Sequence, residues 1–487
     1  MTIDTPTPTP NSSSSPSKHK NPHVLIVGAG VAGLFLAILL ERAGIPYQVY
    51  ERAKEVKPLG AVMSLNAGIL PAFEQLGLYE ELEKVSLRAD STFNILYGDL
   101  SVAARIVTRV RHEIGYNIAI FARTDLYDLL LSKIPSEKIK FNKKIIRVEQ
   151  DEKEVRITCS DGTSYNGDVL VGADGAYSSV RQELYKEMQE KNILPVVDTQ
   201  EMDKGYICMV GTTTPLDPAE YPGVDDEVAN INQIIGMNSN YCWSAFSVPG
   251  NRICWNVILQ LSTVQEANEN KFKNAEWSGD SSDPMIKEVR NFLIPFGNKT
   301  LGDLIDATPQ DNISKVFLED KLFETWNHGR TVLIGDACHK LLPSAGLGAV
   351  TSMQDAVVLA NCLYEMKGLS PDDIKETLSA FKEERYSRVK GQCEASRMNA
   401  KLLYGQSMMD RFLRTVVFNW LPESFRLRGN MKGLEFRPQA TFLPQIPVRG
   451  IGYVIPQMVS QRYKEEQAYL HTASPSLTTT DTPAAAV

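Results

Sequence analysis

The stretch from His23 to Arg52 reads HVLIVGAGVAGLFLAILLERAGIPYQVYER. Its first residues form a short apolar run, typical of a buried parallel strand, and the run ends at the glycine-rich sequence GAGVAG of residues 28–33. Gly28 would allow a tight turn, Gly30 would let the backbone approach a pyrophosphate, and Gly33 would let the next helix lie close to the strand. The sequence therefore predicts a strand–turn–helix unit whose helix N-terminus faces a phosphate.

The continuation of this stretch makes the prediction more specific. Apolar residues with a helical period are followed by Gly44 and Pro46, and then by a second apolar run from Tyr47 to Tyr50. That run leads into Glu51, about 20 residues beyond the glycines, where a carboxylate can accept hydrogen bonds from a ribose. We therefore predict a dinucleotide site. The alternative is a strand-to-helix turn without a ligand, which leaves Glu51 unexplained.

Composition narrows the class of protein. A chain of 487 residues is too long for one ordinary core and predicts two domains, with disordered tails at residues 1–21 and 472–487. Lys and Arg number 51 and Asp and Glu number 59, a net charge of -8, which argues for a soluble enzyme and against a nucleic-acid binder. No apolar run reaches the ~18 residues of a membrane span.

Cysteine and histidine usage indicates the compartment and the metal content. The seven cysteines are scattered singly, and their odd number excludes a complete disulfide framework, so we expect a reducing, cytoplasmic location. The six histidines are dispersed, without a second ligand at metal-binding spacing. We therefore expect no metal site.

Two later stretches repeat the pattern of an apolar run that ends in a glycine-rich loop. Residues 172–175 read GADG, and residues 335–348 read GDACHKLLPSAGLG. Asp336 would lie at a strand tip, where ligands bind in open α/β sheets, and Gly346 and Gly348 would permit close backbone approach at a helix N-terminus.

The remaining segments show other sequence patterns. Residues 144–173 alternate like antiparallel strands, and Thr124 is a plausible N-cap for a helix. Residues 196–320 contain strand-like runs between long polar loops, which predicts an inserted, largely antiparallel sheet. Beyond residue 371 the period is helical, and an apolar stripe near Phe412, flanked by basic residues, is either a packed face or a peripheral membrane contact.

GAGVAG with Glu51, GADG and GDACHKLLPSAGLG together resemble the class A FAD-dependent monooxygenases, which have the para-hydroxybenzoate hydroxylase-like (GR2) fold. The chain looks most like the fungal secondary-metabolism branch, which includes epoxidases of terpenoid and indole-terpenoid compounds, and the resemblance covers roughly residues 22–400. It implies an α/β fold with a Rossmann-like FAD-binding domain, an inserted, mainly antiparallel β-sheet substrate domain and C-terminal helices. The corresponding spans are 22–195 and 321–370 for the FAD-binding domain, 196–320 for the inserted domain and 371–471 for the helical region.

The resemblance also implies a set of cofactor contacts. Glu51 would bind the adenosine ribose, Asp336 the flavin linker, and Ala349 the flavin ring through its backbone. The GADG motif would be shared between FAD and reduced nicotinamide, and NADPH or NADH would bind transiently because a second fingerprint is lacking. The residues implied to bind cofactor are Gly28, Gly30, Gly33, Glu51, Arg52, Ser64, Arg123, Asp174, Gly175, Asp336, Gly346, Gly348 and Ala349.

The implied reaction is hydroxylation or epoxidation of an electron-rich small molecule, aromatic, indole or prenylated, by O2 through a C4a-hydroperoxyflavin. Some fungal relatives carry a catalytic Arg where this chain has Ile207, so the resemblance does not extend to a base-assisted hydroxylation of phenols. Tyr206, Tyr241 and Arg252 are candidates for orienting the substrate. Two alternatives are a flavin-dependent halogenase, whose WxWxIP signature is not found, and a non-catalytic, escort-like binding protein that keeps the FAD fold. The sequence does not indicate the oligomeric state.

Overall fold

The computed structural model describes residues 20–55, 62–89, 92–107, 111–237, 239–261, 284–422 and 431–473. The two predicted disordered tails lie almost wholly outside these residues. The described strands are, in chain order, β1 (Val24–Val27), β2 (Tyr47–Tyr50), β3 (Val62–Leu65), β4 (Leu87–Ala89), β5 (Thr92–Tyr97), β6 (Val102–Val107), β7 (Ile118–Ala122), β8 (Ile139–Lys140), β9 (Ile145–Gln150), β10 (Val155–Cys159), β11 (Ser164–Gly167), β12 (Val169–Gly172), β13 (Asp203–Thr212), β14 (Ile231–Ile235), β15 (Tyr241–Val248), β16 (Arg252–Gln260), β17 (Leu293–Ile294), β18 (Lys299–Thr300), β19 (Ser314–Leu322), β20 (Asn327–His328), β21 (Thr331–Leu333) and β22 (His339–Lys340).

The helices lie between and after these strands. The described α-helices are α1 (Val31–Arg42), α2 (Leu70–Gln75), α3 (Tyr79–Lys84), α4 (Arg111–Ile114), α5 (Arg123–Leu131), α6 (Ser179–Glu190), α7 (Val196–Thr199), α8 (Pro284–Val289), α9 (Leu301–Asp306), α10 (Gly348–Tyr364), α11 (Pro371–Leu403), α12 (Met408–Thr415) and α13 (Gln461–Ala473).

The first strand lies inside a six-stranded sheet with the order β20-β21-β12-β1-β2-β8. It pairs in parallel with β12 and β2, and its residues Val24–Val27 are buried. Helix α1 packs against α10 and returns the chain to β2 on the same sheet. A parallel strand pair needs a crossover connection, and α1 provides it between β1 and β2. This strand–helix–strand arrangement is the predicted Rossmann-like unit.

One strand prediction was wrong. Residues 144–173 were predicted to be antiparallel throughout, but only β9, β10 and β11 pair in that way, while β12 runs parallel to β1. The burial pattern explains the difference: all four residues of β12 are buried, as in a parallel strand covered on both faces, whereas β11 is partly exposed along its length.

A second sheet has eight strands in the order β22-β19-β13-β16-β15-β14-β5-β6. Its neighbouring strands are antiparallel, except that β14 runs parallel to β5. The mainly antiparallel second sheet is therefore confirmed. Strands β5 and β6 lie within residues 22–195, assigned from sequence to the first domain, yet they complete this sheet. The division into domains stays a prediction.

Helices α11, α12 and α13 confirm the predicted C-terminal helices, whereas residues 434–460, within the predicted helical region, are irregular. Helix α11 begins with a capping box in which Ser370 and Asp373 satisfy each other's backbone N–H groups, and it packs against α10. The predicted apolar stripe is only partly packed, because Phe412 is 60% exposed and Trp420 is 70% exposed, while Phe418 packs against the second sheet. Within the described part of the chain, no helix is both long enough and apolar enough to cross a bilayer.

Candidate active site

The glycine loop between β1 and α1 is shaped by three different constraints. Gly28 has a φ of 104°, and a Cβ there would lie 2.4 Å from the carbonyl oxygen of Ala173. A Cβ on Gly33 would lie 2.0 Å from the carbonyl oxygen of Gly28. A Cβ on Gly30 would meet no atom within 4 Å and would enter the cavity that this residue lines. Two glycines therefore serve the fold, and Gly30 keeps space open for a ligand.

The N-terminus of α1 faces that space. Its N-cap residue, Gly30, has no side chain that could cap the helix, and the first turn contains no acidic residue. Unpaired N–H groups and the helix dipole favour an anion at this position. The residues present therefore fit the pyrophosphate of a dinucleotide.

Glu51 holds the loop from the end of β2. Its Oε2 accepts a hydrogen bond from the Ala29 backbone N–H at 2.9 Å, and its Oε1 accepts one from the Ala53 N–H at 2.8 Å. Each carboxylate oxygen keeps a second lone pair, so a ribose hydroxyl can still donate to it. Its neighbour Arg52 is exposed.

Asp336 follows β21 and lines the same cavity. Lys340 Nζ lies 3.0 Å from its Oδ2. Burial would raise the pKa of Asp336, but Lys340, His339 and Arg123 outweigh burial and hold the pKa below its ordinary value. The carboxylate is therefore ionised at neutral pH and can accept hydrogen bonds from hydroxyl groups of a cofactor.

The second glycine loop leads into α10. Gly346 has a φ of 62°, and a Cβ there would lie 3.0 Å from Ser64 Oγ. Gly348 is the first residue of α10, whose N-terminus lacks both a side-chain cap and an acidic residue in its first turn. Gly346, Gly348, Ala349 and Ser64 all line the cavity. A second electropositive helix end thus faces the space that Gly30 faces, as a reduced flavin requires.

Arg123 also lines the cavity, as the first residue of α5. The prediction of Thr124 as the N-cap was wrong, because the helix begins at Arg123 and its N-cap is Ala122, two residues before Thr124, without a side-chain hydrogen bond. Arg123 therefore lies between the buried strand β7 and the first turn of α5.

In the GADG motif, Asp174 and Gly175 have different roles. The Asp174 carboxylate accepts hydrogen bonds from Ser178 Oγ at 2.5 Å and from the Ser179 backbone N–H at 2.7 Å, so it fastens the start of α6. Gly175 has a φ of 80° and lines the cavity. A direct contact between Asp174 and reduced nicotinamide stays a prediction.

A buried ionic network that sequence reasoning missed supports the Asp336 loop. Asp355 on α10 contacts His339 Nε2 at 2.5 Å, Arg385 Nε on α11 at 2.7 Å and the Gly335 backbone N–H at 2.9 Å. The side chains of Asp355, His339 and Arg385 are fully buried. Burial would raise the pKa of Asp355, but His339 and Arg385 outweigh it and hold the pKa below its ordinary value.

Cys338 lies beside this network, and one ligand atom each from Cys338, His339 and Asp355 falls within 4.8 Å of the others. Burial raises the pKa of the Cys338 thiol well above its ordinary value. A protonated thiol and the adjacent Arg385 guanidinium both disfavour a bound cation. The cluster is better explained as an ion pair that fixes the loop, and the predicted absence of a metal stays a prediction.

The cavity has a volume of about 660 Å³, within the range of small-molecule sites. It lies between the glycine loops and one face of the second sheet, to which β13, β14, β15, β16 and β19 contribute residues. Of the predicted cofactor residues, those that line it are Gly30, Ser64, Arg123, Gly175, Asp336, Gly346, Gly348 and Ala349. A further cavity of about 1130 Å³, bounded by residues such as Glu187 and Arg330, contains none of the described glycine-loop residues.

The three residues predicted to orient the substrate are not among the described residues that line the cavity. Tyr206 packs edge-on against Tyr404, which does line it. Tyr241 donates a hydrogen bond to Glu288 at 2.6 Å, and Arg252 pairs with Asp125 at 2.8 Å. These positions do not favour a role for the three residues in orienting the substrate, and that role stays a prediction.

The sheet residues that do face the cavity were missed from sequence. On β15 they are Ser244 and Phe246, so Tyr241 points to the opposite face, because side chains alternate along a strand. On β16, Asn256 faces the cavity from within the apolar run ICWNVIL. A polar residue inside such a run was the available signal.

Two uncapped helix ends, an acid at the end of the second strand and a cavity between the glycine loops and the second sheet fit a bound dinucleotide. Residues 21–204 and 258–396 of this chain match the protein family that is described as "FAD binding domain". The FAD-dependent monooxygenase ptmM of Penicillium ochrochloron is 32% identical over 395 residues, which is 77% of this chain and 87% of the relative. The FAD-dependent monooxygenase ausM of Aspergillus calidoustus is 28% identical over 442 residues, covering 88% and 90%.

A solved structure shares the fold. The Klebsiella pneumoniae HpxO complexed with FAD and uric acid aligns with a TM-score of 0.68 at 21% identity, covering 85% of this chain and 97% of that one. The chain belongs to the FAD-binding family of class A flavin-dependent monooxygenases. The resemblance seen in the sequence, the α/β fold and FAD as the cofactor are therefore confirmed.

Proposed function

We propose that this monooxygenase uses NADPH or NADH and O2 to hydroxylate or epoxidise an uncharged, electron-rich small molecule. In the overall reaction, one oxygen atom of O2 enters the substrate and the other leaves as water, while the reduced nicotinamide supplies two electrons and a proton, with a second proton from solvent. Bound FAD supplies the activation of O2, a chemistry that protein side chains lack. The sequence carries no second dinucleotide fingerprint, so the reduced nicotinamide would bind transiently.

The observation that carries the proposal is the composition of the cavity. Among the described residues that line it, the charged ones are Arg123 and Asp336, and both belong to the cofactor side. The face contributed by the second sheet consists of apolar and neutral polar side chains, such as Phe246, Ile258 and Val316. This face would exclude water and accept a substrate without charge.

The chain's own residues would divide the work as their positions suggest. Gly30 and the start of α1 would hold the pyrophosphate, Glu51 the ribose and Asp336 the flavin linker. The start of α10, with Ala349, would stabilise negative charge on the ring. The sheet would hold the substrate within reach of that ring.

The proposed location is the cytoplasm, with peripheral membrane contact as a further possibility through Phe412 and Trp420. All seven cysteines are free thiols, which supports a reducing compartment. The exposed aromatic side chains on and after α12 support the contact.

The test is to measure NADPH oxidation by the pure yellow protein with a panel of phenols, indoles and prenylated compounds. We expect at least one compound to accelerate oxidation and to gain one oxygen atom, detected by mass spectrometry. The Asp336→Ala variant, which loses a charged acceptor worth about 1.5–3 kcal/mol, should be purified with little FAD and serve as the inactive control. Acceleration without an oxygenated product, with all electrons recovered as hydrogen peroxide, would contradict the proposal.

A further inference from the structure

A row of polar side chains crosses the sheet that closes the cavity. The strand register places Gln233 of β14 opposite Ser244 of β15, and Ser244 opposite Asn256 of β16. The same line continues through Val210 of β13 to Ser314 of β19. All five residues line the cavity. We name Gln233, Ser244, Asn256 and Ser314 the polar row.

The surface on both sides of the polar row is apolar. Ile258 and Val316 line the cavity on one side, and Ile231 and Phe246 line it on the other. Each of these residues is two positions along its strand from a member of the row, and therefore faces the same way. The cavity thus offers a narrow polar line within an otherwise apolar wall.

Two buried atoms of the polar row have no hydrogen-bond partner among the described residues: Ser244 Oγ and Asn256 Oδ1. Ser244 is fully buried. Gln233 differs from Ser244 and Asn256 because its side chain has a partner: Nε2 donates a hydrogen bond to the Trp243 carbonyl oxygen at 3.1 Å. Leaving a buried polar atom unpaired costs about 1–3 kcal/mol, so two such atoms, side by side in a cavity, indicate groups that await a ligand.

The chemistry of these two atoms defines what they can bind. The amide oxygen of Asn256 can only accept a hydrogen bond, whereas the Ser244 hydroxyl can donate or accept. Residues opposite each other on antiparallel strands have Cβ atoms about 4.5–5.5 Å apart, so one small group can contact both. A hydroxyl would donate to Asn256 and accept from Ser244, and an N–H group would donate to Asn256.

We propose that Ser244 and Asn256 bind a hydroxyl or N–H group of an otherwise apolar, uncharged substrate, and thereby select which of its carbons faces the flavin. This inference rests on the proposed function and adds the substrate's recognition group to it. A molecule that carries only ether or ester oxygens cannot satisfy Asn256 and is rejected.

Binding to the holoenzyme without reduced nicotinamide tests the proposal, with flavin fluorescence as the signal. The probes are two matched pairs: indole with N-methylindole, and naphthol with its methyl ether. We expect the wild-type protein to bind the donor of each pair about tenfold more tightly than its methylated partner, and Asn256→Leu to bring that ratio to about one. Equal affinities in the wild type, no saturable binding of either donor, or an unchanged ratio in Asn256→Leu would overturn it.

Thermal unfolding supplies a second readout, with Ser247 as the matched control. Ser247 lies on β15 but on the opposite face, and its Oγ accepts a hydrogen bond from the Asn230 N–H at 2.8 Å. Ser244→Ala should unfold at the wild-type temperature or above, because no partner is lost, whereas Ser247→Ala should unfold lower and keep the binding ratio. An equal fall in both variants would show that Ser244 is bonded within the protein, and would contradict the proposal.

The two proposals fail in different ways. If a panel compound is oxygenated but methylated and unmethylated probes bind alike, the recognition by Ser244 and Asn256 is wrong and the monooxygenase reaction stands. If the donors bind selectively but no compound gains oxygen, the reaction assignment is wrong and the recognition stands.

Discussion

Replacing Asp355 by Asn should lower the free energy of unfolding by about 3–5 kcal/mol, the range for removing one partner of a buried ion pair. The carboxylate is fully buried between His339 and Arg385, and the variant leaves the Arg385 guanidinium without its counter-charge. The measurement is urea unfolding of the FAD-free protein, which removes the contribution of cofactor binding. The control is Glu376→Gln, in an exposed pair with Lys367, and a change within about 0.5 kcal/mol is expected there.

The same network predicts a pH dependence. The pKa of Asp355 is lower in the folded protein than the ordinary value of about 3.9, so its contribution is fully present above that value. The contribution is lost as the pH falls through the lower, folded-state pKa. The difference in stability between wild type and Asp355→Asn should therefore shrink below about pH 4. A difference that is small at neutral pH, or that grows in acid, would contradict the assignment of an ionised Asp355.

Replacing Gly30 by Leu should abolish FAD binding without unfolding the protein. A Cβ there meets no atom within 4 Å, and the rest of the side chain would extend into the cavity and displace the pyrophosphate from the start of α1. Loss of two hydrogen bonds to a charged group, each worth about 1.5–3 kcal/mol, predicts a dissociation constant for FAD at least about 100-fold higher. The measurement is FAD titration of the deflavinated protein, followed by flavin fluorescence.

Gly33→Ala is the matched comparison, because it changes the same loop in the opposite sense. Its Cβ would lie 2.0 Å from the Gly28 carbonyl oxygen, so the backbone must shift and the FAD-free protein should unfold at a lower temperature. FAD binding by Gly30→Leu at wild-type affinity would show that the phosphate does not lie at this loop. Loss of the fold in Gly30→Leu would show that the space beside Gly30 is not free.

The cofactor half of the site could be predicted from sequence because it is encoded locally. The conformations of Gly28 and Gly346 and the position of Glu51 at the end of β2 follow from short motifs that fix the backbone over a few residues. Asp336 could be placed at the cavity for the same reason, since it lies in the short loop that follows the buried strand β21.

The substrate half could not be predicted in the same way, because it depends on register and on distant pairing. Tyr241 and Ser244 lie three residues apart on one strand, and only the register decides which of them faces the cavity. The parallel pairing of β5 with β14 joins residues more than a hundred positions apart in the chain, and no local pattern indicates it. Asp355 and Arg385 likewise meet only when α10 packs on α11.

We expect one FAD molecule to extend between Glu51 and Asp336, with its ring towards the sheet that carries Ser244 and Asn256. A crystal structure of the purified holoenzyme measures this most directly. We predict the adenosine ribose within hydrogen-bond distance of Glu51, the flavin linker at Asp336 and the ring facing the second sheet. A flavin whose ring points away from that sheet, or which contacts only one of the two carboxylates, would contradict the account.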